Sequence, residues 1–156
     1  GLGADGHDFE PIVPELGLPD TLAVRFVFPH APSIPVTINN GYRMPAWYDI
    51  LDMDLSRRAD RAGLLASAAR VAELLDRERE RCIPSERIVL AGFSQGGAVG
   101  LQLALTYPQR LAGLLALSTY FATGGDAAPT AASRELPIEV HHGVFDPLVP
   151  EAMGRL

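Results

Sequence analysis

The chain has 156 residues, of which 47% are hydrophobic and 21% are charged, and its formal net charge is −6. This composition is typical of one globular domain with a real hydrophobic core and excludes a wholly disordered chain. The 13 basic residues are outnumbered by 19 acidic ones and form no patch that could follow a phosphate backbone, so nucleic acid is not an expected partner.

The first segment of the chain, residues 1–6 (GLGADG), has no Met and no strand before it. At the other end, Arg155 and Leu156 complete no predicted element. We interpret both ends as cuts through a larger domain, so that residues 1–156 form a single, incomplete domain.

The first predicted strand covers residues 23–28 (AVRFVF), which are β-branched or aromatic and stop at Pro29. Residues 33–50 are rich in Pro, Asn and Gly and form a long connection. Long connections inside compact domains are typical of functional loops.

A helix is predicted from Ser56 to about Arg81, with Ser56 as N-cap and Asp60 in the first turn. Pro84 ends it, because proline cannot continue the helical hydrogen-bond ladder. Apolar residues recur at steps of three and four and predict one buried face. Its members are Leu64, Leu65, Ala68, Val71, Ala72 and Leu75.

The second half of the chain alternates strands and a helix. Strands are predicted at 87–91, 112–118 and 138–142, a helix at 95–107, and a Gly- and Ala-rich loop at 123–133. This order predicts an α/β fold with a mostly parallel sheet and helices on both faces.

The strand-to-helix junction at residues 92–96, Gly-Phe-Ser-Gln-Gly, fits the pattern G-x-S-x-G. Such an abrupt turn forces its central residue, Ser94, into a strained backbone conformation. A Cβ two residues before or after would clash, which accounts for Gly92 and Gly96. The Ser94 hydroxyl then projects at a helix N-terminus, where N–H groups stabilise an oxyanion. Ser94 is therefore the candidate nucleophile; the alternative is a glycine-rich turn in which Ser94 only caps the helix.

Five segments resemble one known family. LAGFSQGGAVGLQLAL (90–105) closely resembles the nucleophile elbow of the carboxylesterase and acyl-protein thioesterase family, the phospholipase/carboxylesterase branch of the α/β-hydrolases. GLGADGHDF (1–9) is similar to its oxyanion loop, and residues 28–50 are similar to its P-x-A-P…V-T-x-N-x-G…M-x-x-W-Y-D loop. LALSTY (115–120) and HHGVFDPLVP (141–150) are similar to its later strands and acid loop. The resemblance implies an α/β-hydrolase fold, here incomplete at both termini.

This resemblance also implies roles for individual residues. Asp146 matches the acid of the catalytic triad, although a turn Asp ahead of Pro147 is the alternative. The oxyanion donors are the backbone N–H groups of Gln95 and Leu2. The family's histidine follows the acid by some tens of residues, and no histidine occurs in 147–156. We expect the general base to lie outside this chain and the 156 residues alone to be inactive.

The four histidines present do not suit the missing role. His141 and His142 are neighbours on a predicted strand and point to opposite faces, so they form no metal pair. His142 matches the family's H-G and favours packing behind the acid loop. His30 sits at the mouth of the expected site, and His7 is expected in solvent.

Substrate contacts are expected from Met44, Trp47 and Tyr48, with Leu2, as an apolar surface for an acyl chain; the two aromatic residues serve equally well as packing anchors. No metal or organic cofactor is implied, because no ligand set has the required spacing. No apolar run approaches the roughly 20 residues of a membrane span. The single cysteine, Cys82, is interpreted as incidental and suits a cytoplasmic protein.

The sequence thus predicts a serine hydrolase of small carboxylic esters or acyl thioesters, acting through an acyl-enzyme. Two alternatives stay open: a catalytically inactive hydrolase-fold module that binds a small ligand, and an acyltransferase that uses the same elbow. The oligomeric state is open as well.

Overall fold

The computed structural model describes residues 1–55 and 58–155. Its strands and α-helices are, in chain order, β1 (Ser33–Val36), β2 (Tyr42–Pro45), α1 (Arg61–Glu80), β3 (Val89–Phe93), α2 (Gln95–Thr106), β4 (Gly113–Leu117) and β5 (Ile138–His141). Short 3₁₀ turns connect several of them. No helix in these two ranges is long and apolar enough to cross a membrane.

The larger sheet is parallel and has the order β3-β4-β5. Val89 lies beside Gly113 across the first pair, and Leu114 lies beside Ile138 across the second. Parallel strands need a crossover between them, and α2 forms the one between β3 and β4. The predicted α/β class with a parallel sheet is confirmed.

The core lies between this sheet and the two helices. Helix α2 packs against β3 and β4, and α1 packs against α2. Leu64 of α1 and Leu103 of α2 are buried there with Leu114 of β4. On the sheet face away from α2, Val89 and Phe93 are exposed, so the described helices cover one face.

The predicted strand at residues 23–28 is not formed. These residues belong to neither sheet, and Val24, Phe26 and Val27 are exposed. A strand is stabilised by its ladder and by burial of its side chains, and residues 23–28 have neither. The β-branched and aromatic composition does indicate β-propensity, but a strand also needs a neighbouring strand, and residues 23–28 have none in either sheet.

The predicted loop at residues 33–50 contains regular structure instead. Strands β1 and β2 pair antiparallel as a small separate sheet, with Val36 beside Tyr42. The turn between them places Asn40 and Gly41 in the left-handed region, at φ 54° and 75°. Asn and Gly are the residues that adopt this conformation most readily, so the signal for a hairpin was present.

Helix α1 begins later than predicted. Asp60, expected in the first turn, is the N-cap, and its Oδ1 accepts a hydrogen bond from the Gly63 N–H at 2.9 Å. The proposed cap Ser56 lies outside the described residues. On the predicted buried face Leu65 is 38% exposed, whereas Ser67 is buried. The other predicted strands and α2 agree with the structure to within two residues at each end.

Candidate active site

The backbone turns at Ser94 directly from β3 into α2. Ser94 has φ 53° and ψ −121°, a conformation that costs a non-glycine residue about 1–3 kcal/mol. Two contacts with β4 and the residues after it hold it there. Its N–H donates to the carbonyl of Leu117 at 2.9 Å, and the buried Thr119 hydroxyl donates to its carbonyl at 2.7 Å. The predicted strain is present, and the sheet maintains it.

The glycines around this turn have unequal roles. A Cβ on Gly92 would lie 2.3 Å from the Gly96 carbonyl oxygen, so Gly92 must lack a side chain. A Cβ on Gly97 would lie 2.5 Å from the side chain of Thr119. A Cβ on Gly96 would meet only the indole nitrogen of Trp47, at 3.8 Å. The steric requirement predicted for Gly96 therefore belongs to Gly97.

The hydroxyl of Ser94 makes no capping hydrogen bond to α2, although Ser94 occupies the N-cap position. A serine selected as a cap would accept a hydrogen bond from an N–H of the first turn. The structure therefore does not favour the interpretation of Ser94 as a cap. The side chain is left at the N-terminus of a buried helix, where backbone dipoles favour negative charge.

The N-terminal segment lies beside this turn. A Cβ built on Gly1 would be 3.9 Å from the Cβ of Ser94 and 3.4 Å from the ring of Phe93. The Gly3 N–H donates to the carbonyl of Pro45 at 2.8 Å. Leu2, between these glycines, is half-buried and packs against the core. The segment that carries the predicted oxyanion donor Leu2 is thus near Ser94.

The side chain of Gln95 is 2% exposed and makes two hydrogen bonds to one stretch of backbone. Its Oε1 accepts from the Trp47 N–H at 3.1 Å, and its Nε2 donates to the Tyr48 carbonyl at 2.8 Å. From the sequence, only the backbone N–H of Gln95 is expected to have a role. The available signal was a glutamine placed directly after the candidate nucleophile and followed by Gly96 and Gly97. Its two partners lie almost 50 residues away in the sequence and could not be identified without the structure.

The three predicted substrate residues separate into two groups. Tyr48 is 1% exposed, and its hydroxyl is 2.9 Å from the buried hydroxyl of Tyr120. Burial raises the pKa of Tyr48 well above its ordinary value. Its burial and its hydrogen bond to Tyr120 favour the packing-anchor alternative for Tyr48, and its contact with substrate stays a prediction. Trp47 and Met44 are half-buried and stay candidates for contact with substrate.

Asp146 follows β5 in the loop 142–149. Its Oδ1 accepts hydrogen bonds from the N–H groups of Leu148 and Val149, both at 2.9 Å. These two bonds lower the pKa of Asp146, and His142 and the Ser118 hydroxyl lower it further. One carboxylate oxygen is therefore committed to the loop, while Oδ2 lies 3.8 Å from the His142 Nε2. The turn and acid interpretations are compatible, because each uses a different oxygen.

His142 lies behind this loop, as its H-G motif suggested. Its side chain is 6% exposed, and its Nε2–H donates to the Val149 carbonyl at 2.8 Å. Its Nδ1 is buried without a hydrogen-bond partner, and a Cβ on Gly154 would lie 2.4 Å from it. With Nε2 committed to the loop backbone, His142 holds the loop and is unsuited to carry a proton to Ser94.

The other three histidines have partners of their own. His7 Nδ1 is 2.9 Å from a Glu10 carboxylate, whose hydrogen bond raises the pKa of this exposed imidazole. His30 Nδ1 accepts from the Gly6 N–H at 3.1 Å. His141 is exposed and 3.0 Å from Glu139.

Two residues beside the site were missed from sequence, Ser118 and Thr119. Ser118 has φ 43°, and its N–H donates to the His141 carbonyl at 2.8 Å, so it links the end of β4 to the end of β5, directly before the acid loop. Thr119 supports Ser94 as described. Ser118 ends the predicted strand 112–118 and Thr119 follows it directly. Parallel sheets assemble sites at this end of their strands, and that position was the available signal.

A strained serine between a parallel strand and a helix, with a carboxylate after a later strand of the same sheet, defines the α/β-hydrolase class. The family model "Phospholipase/Carboxylesterase" matches residues 1–156. The chain belongs to this family, as its motifs indicated.

Acyl-protein thioesterase 1 of Schizosaccharomyces pombe is 45% identical over 133 residues, which are 84% of this chain and 59% of the relative. Acyl-protein thioesterase 1 of Neurospora crassa is 42% identical over all of this chain and 68% of the relative. The chain thus spans about three fifths to two thirds of these relatives.

Solved structures agree on the fold. The crystal structure of Arabidopsis thaliana SOBER1 superposes with a TM-score of 0.93 at 30% identity, over 99% of this chain and 76% of that one. Acyl-protein thioesterase 2 of Zea mays gives a TM-score of 0.79 at 28% identity, over 99% and 72%. The α/β-hydrolase fold predicted from the sequence is confirmed.

Proposed function

We propose that this protein is a serine hydrolase of carboxylic esters or acyl thioesters, with Ser94 as nucleophile. The observation that carries the proposal is the backbone of Ser94, strained at φ 53° and bonded on both sides, with a hydroxyl that caps nothing. Relatives named as acyl-protein thioesterases support the same reaction class.

In the proposed reaction the Ser94 Oγ attacks the carbonyl carbon of the substrate and its proton passes to a base. The N–H groups of Gln95 and Leu2 stabilise the oxyanion of the tetrahedral intermediate. Collapse of that intermediate releases the alcohol or thiol, which takes the proton, and leaves Ser94 acylated. Water, activated by the same base, then releases the acid and regenerates the hydroxyl.

The base in this scheme is an imidazole between Ser94 and the carboxylate of Asp146, on the side of Oδ2, which accepts no hydrogen bond from the loop N–H groups. The lowered pKa of Asp146 supports its role, because an ionised carboxylate orients and stabilises an imidazolium. All four histidines of the chain are engaged elsewhere, so we assign the base to a histidine outside the 156 residues. We expect these residues alone to turn over little or no substrate.

The acyl group is proposed to lie against Trp47, Met44 and Leu2. All three are half-buried apolar side chains, and Trp47 approaches the first turn of α2. Small esters and acylated proteins are the candidate substrates. One exposed free cysteine suits a reducing compartment, so we propose a cytoplasmic location.

The test uses the product of the complete reading frame that encodes this chain. Hydrolysis of p-nitrophenyl acetate and of an S-acylated cysteine peptide is compared between wild type and Ser94→Ala, with Ser133→Ala as a control at another buried serine. We expect Ser94→Ala to abolish both activities and the control to retain them. Hydrolysis that survives Ser94→Ala would contradict the proposal.

A further inference from the structure

We propose that the side chain of Gln95 is a positioning group that fastens the aromatic segment 44–48 to the candidate nucleophile, independently of its own backbone N–H. As a statement about the reaction this inference depends on the proposed function. As a statement about structure it stands on the hydrogen bonds of Gln95 alone.

The first observation is that the Gln95 amide reproduces the pairing of a peptide group. Its Oε1 accepts a hydrogen bond from the Trp47 N–H at 3.1 Å, and its Nε2 donates one to the Tyr48 carbonyl at 2.8 Å. A side chain without both an acceptor and a donor at this length cannot make the pair. The orientation of the amide is therefore fixed by segment 44–48, and that segment is fixed by the amide.

The second observation is that, within residues 1–55 and 58–155, no other hydrogen bond joins segment 44–48 to the elbow at residues 92–96. The Trp47 carbonyl accepts from the Ser67 hydroxyl of α1, and the Tyr48 hydroxyl pairs with Tyr120. Pro45 accepts from the Gly3 N–H, which joins the segment to the N-terminal loop. Gln95 is thus the hydrogen-bonding link between the first turn of α2 and a segment that also holds the loop of Leu2.

The consequence concerns geometry around Ser94. Gln95 directly follows the strained serine, and the indole of Trp47 approaches Gly96 on the same turn. Release of the amide would let Trp47 and the attached N-terminal loop move away from the turn. A site that depends on sub-ångström placement would lose both its acyl-side wall and one of its oxyanion donors.

Trp47 is the single tryptophan of these 156 residues. Its fluorescence reports on the link in the full-length protein once any tryptophan outside these residues has been replaced by Phe. Gln95→Met keeps the length of the side chain and removes both hydrogen bonds. The matched control is Gln102→Met, a buried glutamine of the same helix whose Oε1 accepts from the Thr123 hydroxyl at 2.6 Å. We expect acrylamide quenching of Trp47 to rise about twofold or more in Gln95→Met and to stay at the wild-type level in Gln102→Met.

Quenching unchanged in a folded Gln95→Met, or raised equally by both variants, would overturn the inference. If Gln95→Met fails to fold, amide hydrogen exchange in the wild type decides. The Trp47 N–H should then exchange as slowly as the N–H groups in the middle of α2, and exchange at the rate of an exposed loop would overturn the link.

A second experiment measures esterase activity and tests the functional consequence of the link. In the protein encoded by the complete reading frame, we expect kcat/KM to fall about tenfold or more for Gln95→Met, because two buried hydrogen bonds are lost. For Gln102→Met we expect kcat/KM to stay within about twofold of the wild-type value. Unchanged kcat/KM despite a loosened Trp47 would overturn the positioning role. Wild type without esterase activity would instead refute the proposed function and leave the fluorescence result valid.

Discussion

The candidate nucleophile, Ser94, and the candidate acid, Asp146, are held in different ways. Ser94 stands between a strand and a helix that are packed into the core, and residues of β4 and beyond bond its backbone. Asp146 stands in a loop after β5, whose four residues are all exposed. Phe145 beside it is 94% exposed. Ser94 is positioned by tertiary packing, whereas the main hydrogen bonds of Asp146 are to N–H groups of its own loop.

The largest difference in the free energy of unfolding is expected when one methyl group is added beside Ser94 and one in the loop of Asp146. Gly92→Ala places a Cβ 2.3 Å from backbone, so we expect a loss of about 3 kcal/mol or more in the free energy of unfolding. Gly143→Ala, in the acid loop, meets nothing within 4 Å and should stay within about 1 kcal/mol of wild type. Urea unfolding of both variants measures the difference, and equal losses would contradict the contrast.

The acid loop should depend on one histidine and not on its neighbour. In His142→Asn the shorter side chain no longer reaches the Val149 carbonyl, so the loop opens more often. We expect chymotrypsin cleavage after Phe145 to accelerate about tenfold, equivalent to roughly 1.4 kcal/mol. The control His141→Asn alters the exposed neighbouring side chain at the end of β5 and should leave the cleavage rate unchanged. Equal rates in the two variants would show that His142 does not hold the loop.

A smaller effect is expected at the support of the nucleophile. Thr119→Val keeps the shape of the side chain and removes the hydrogen bond to the Ser94 carbonyl. That carbonyl still accepts from the N–H groups of Gly97 and Ala98, so we expect a loss of only about 1 kcal/mol on unfolding. Urea unfolding checks this value, and Thr106→Val, at the far end of α2, is the control. A loss above about 3 kcal/mol in the free energy of unfolding would mean that the other two hydrogen bonds to the Ser94 carbonyl do not maintain the turn, which would contradict this expectation.

The smallest effect is a pH dependence in the acid loop. The folded protein lowers the pKa of Asp146 below its ordinary value of 3.8, so the ionised form stabilises the fold. This contribution is complete above the ordinary pKa and disappears as the pH falls through the lowered one. The difference in unfolding free energy between wild type and Asp146→Asn should therefore be constant near neutral pH and shrink below about pH 4. A difference that grew on acidification would contradict the assignment.

The elbow could be predicted from sequence because its determinants are local. A strand, G-x-S-x-G and a helix follow one another within about 20 residues, and each keeps its predicted state. Residues 23–28 failed for the opposite reason, since strand formation depends on a partner that local composition does not reveal. Contacts between distant segments also decide three further features that the sequence did not reveal. These are the hydrogen bonds of the Gln95 amide, the hydrogen bond of the Thr119 hydroxyl, and the steric requirement for glycine at Gly97 and not at Gly96. Tyr48 was ambiguous because a tyrosine in a loop suits both anchoring and binding.

The central claim is that Ser94 is acylated during turnover. The most direct measurement is mass spectrometry of the protein encoded by the complete reading frame. The protein is mixed with an acyl thioester and quenched in acid within milliseconds. We predict that the peptide containing Ser94 gains the mass of the acyl group, and that Ser94→Ala yields neither this adduct nor the free acid. An acyl group found on Cys82 instead, or turnover that persists in Ser94→Ala, would contradict it.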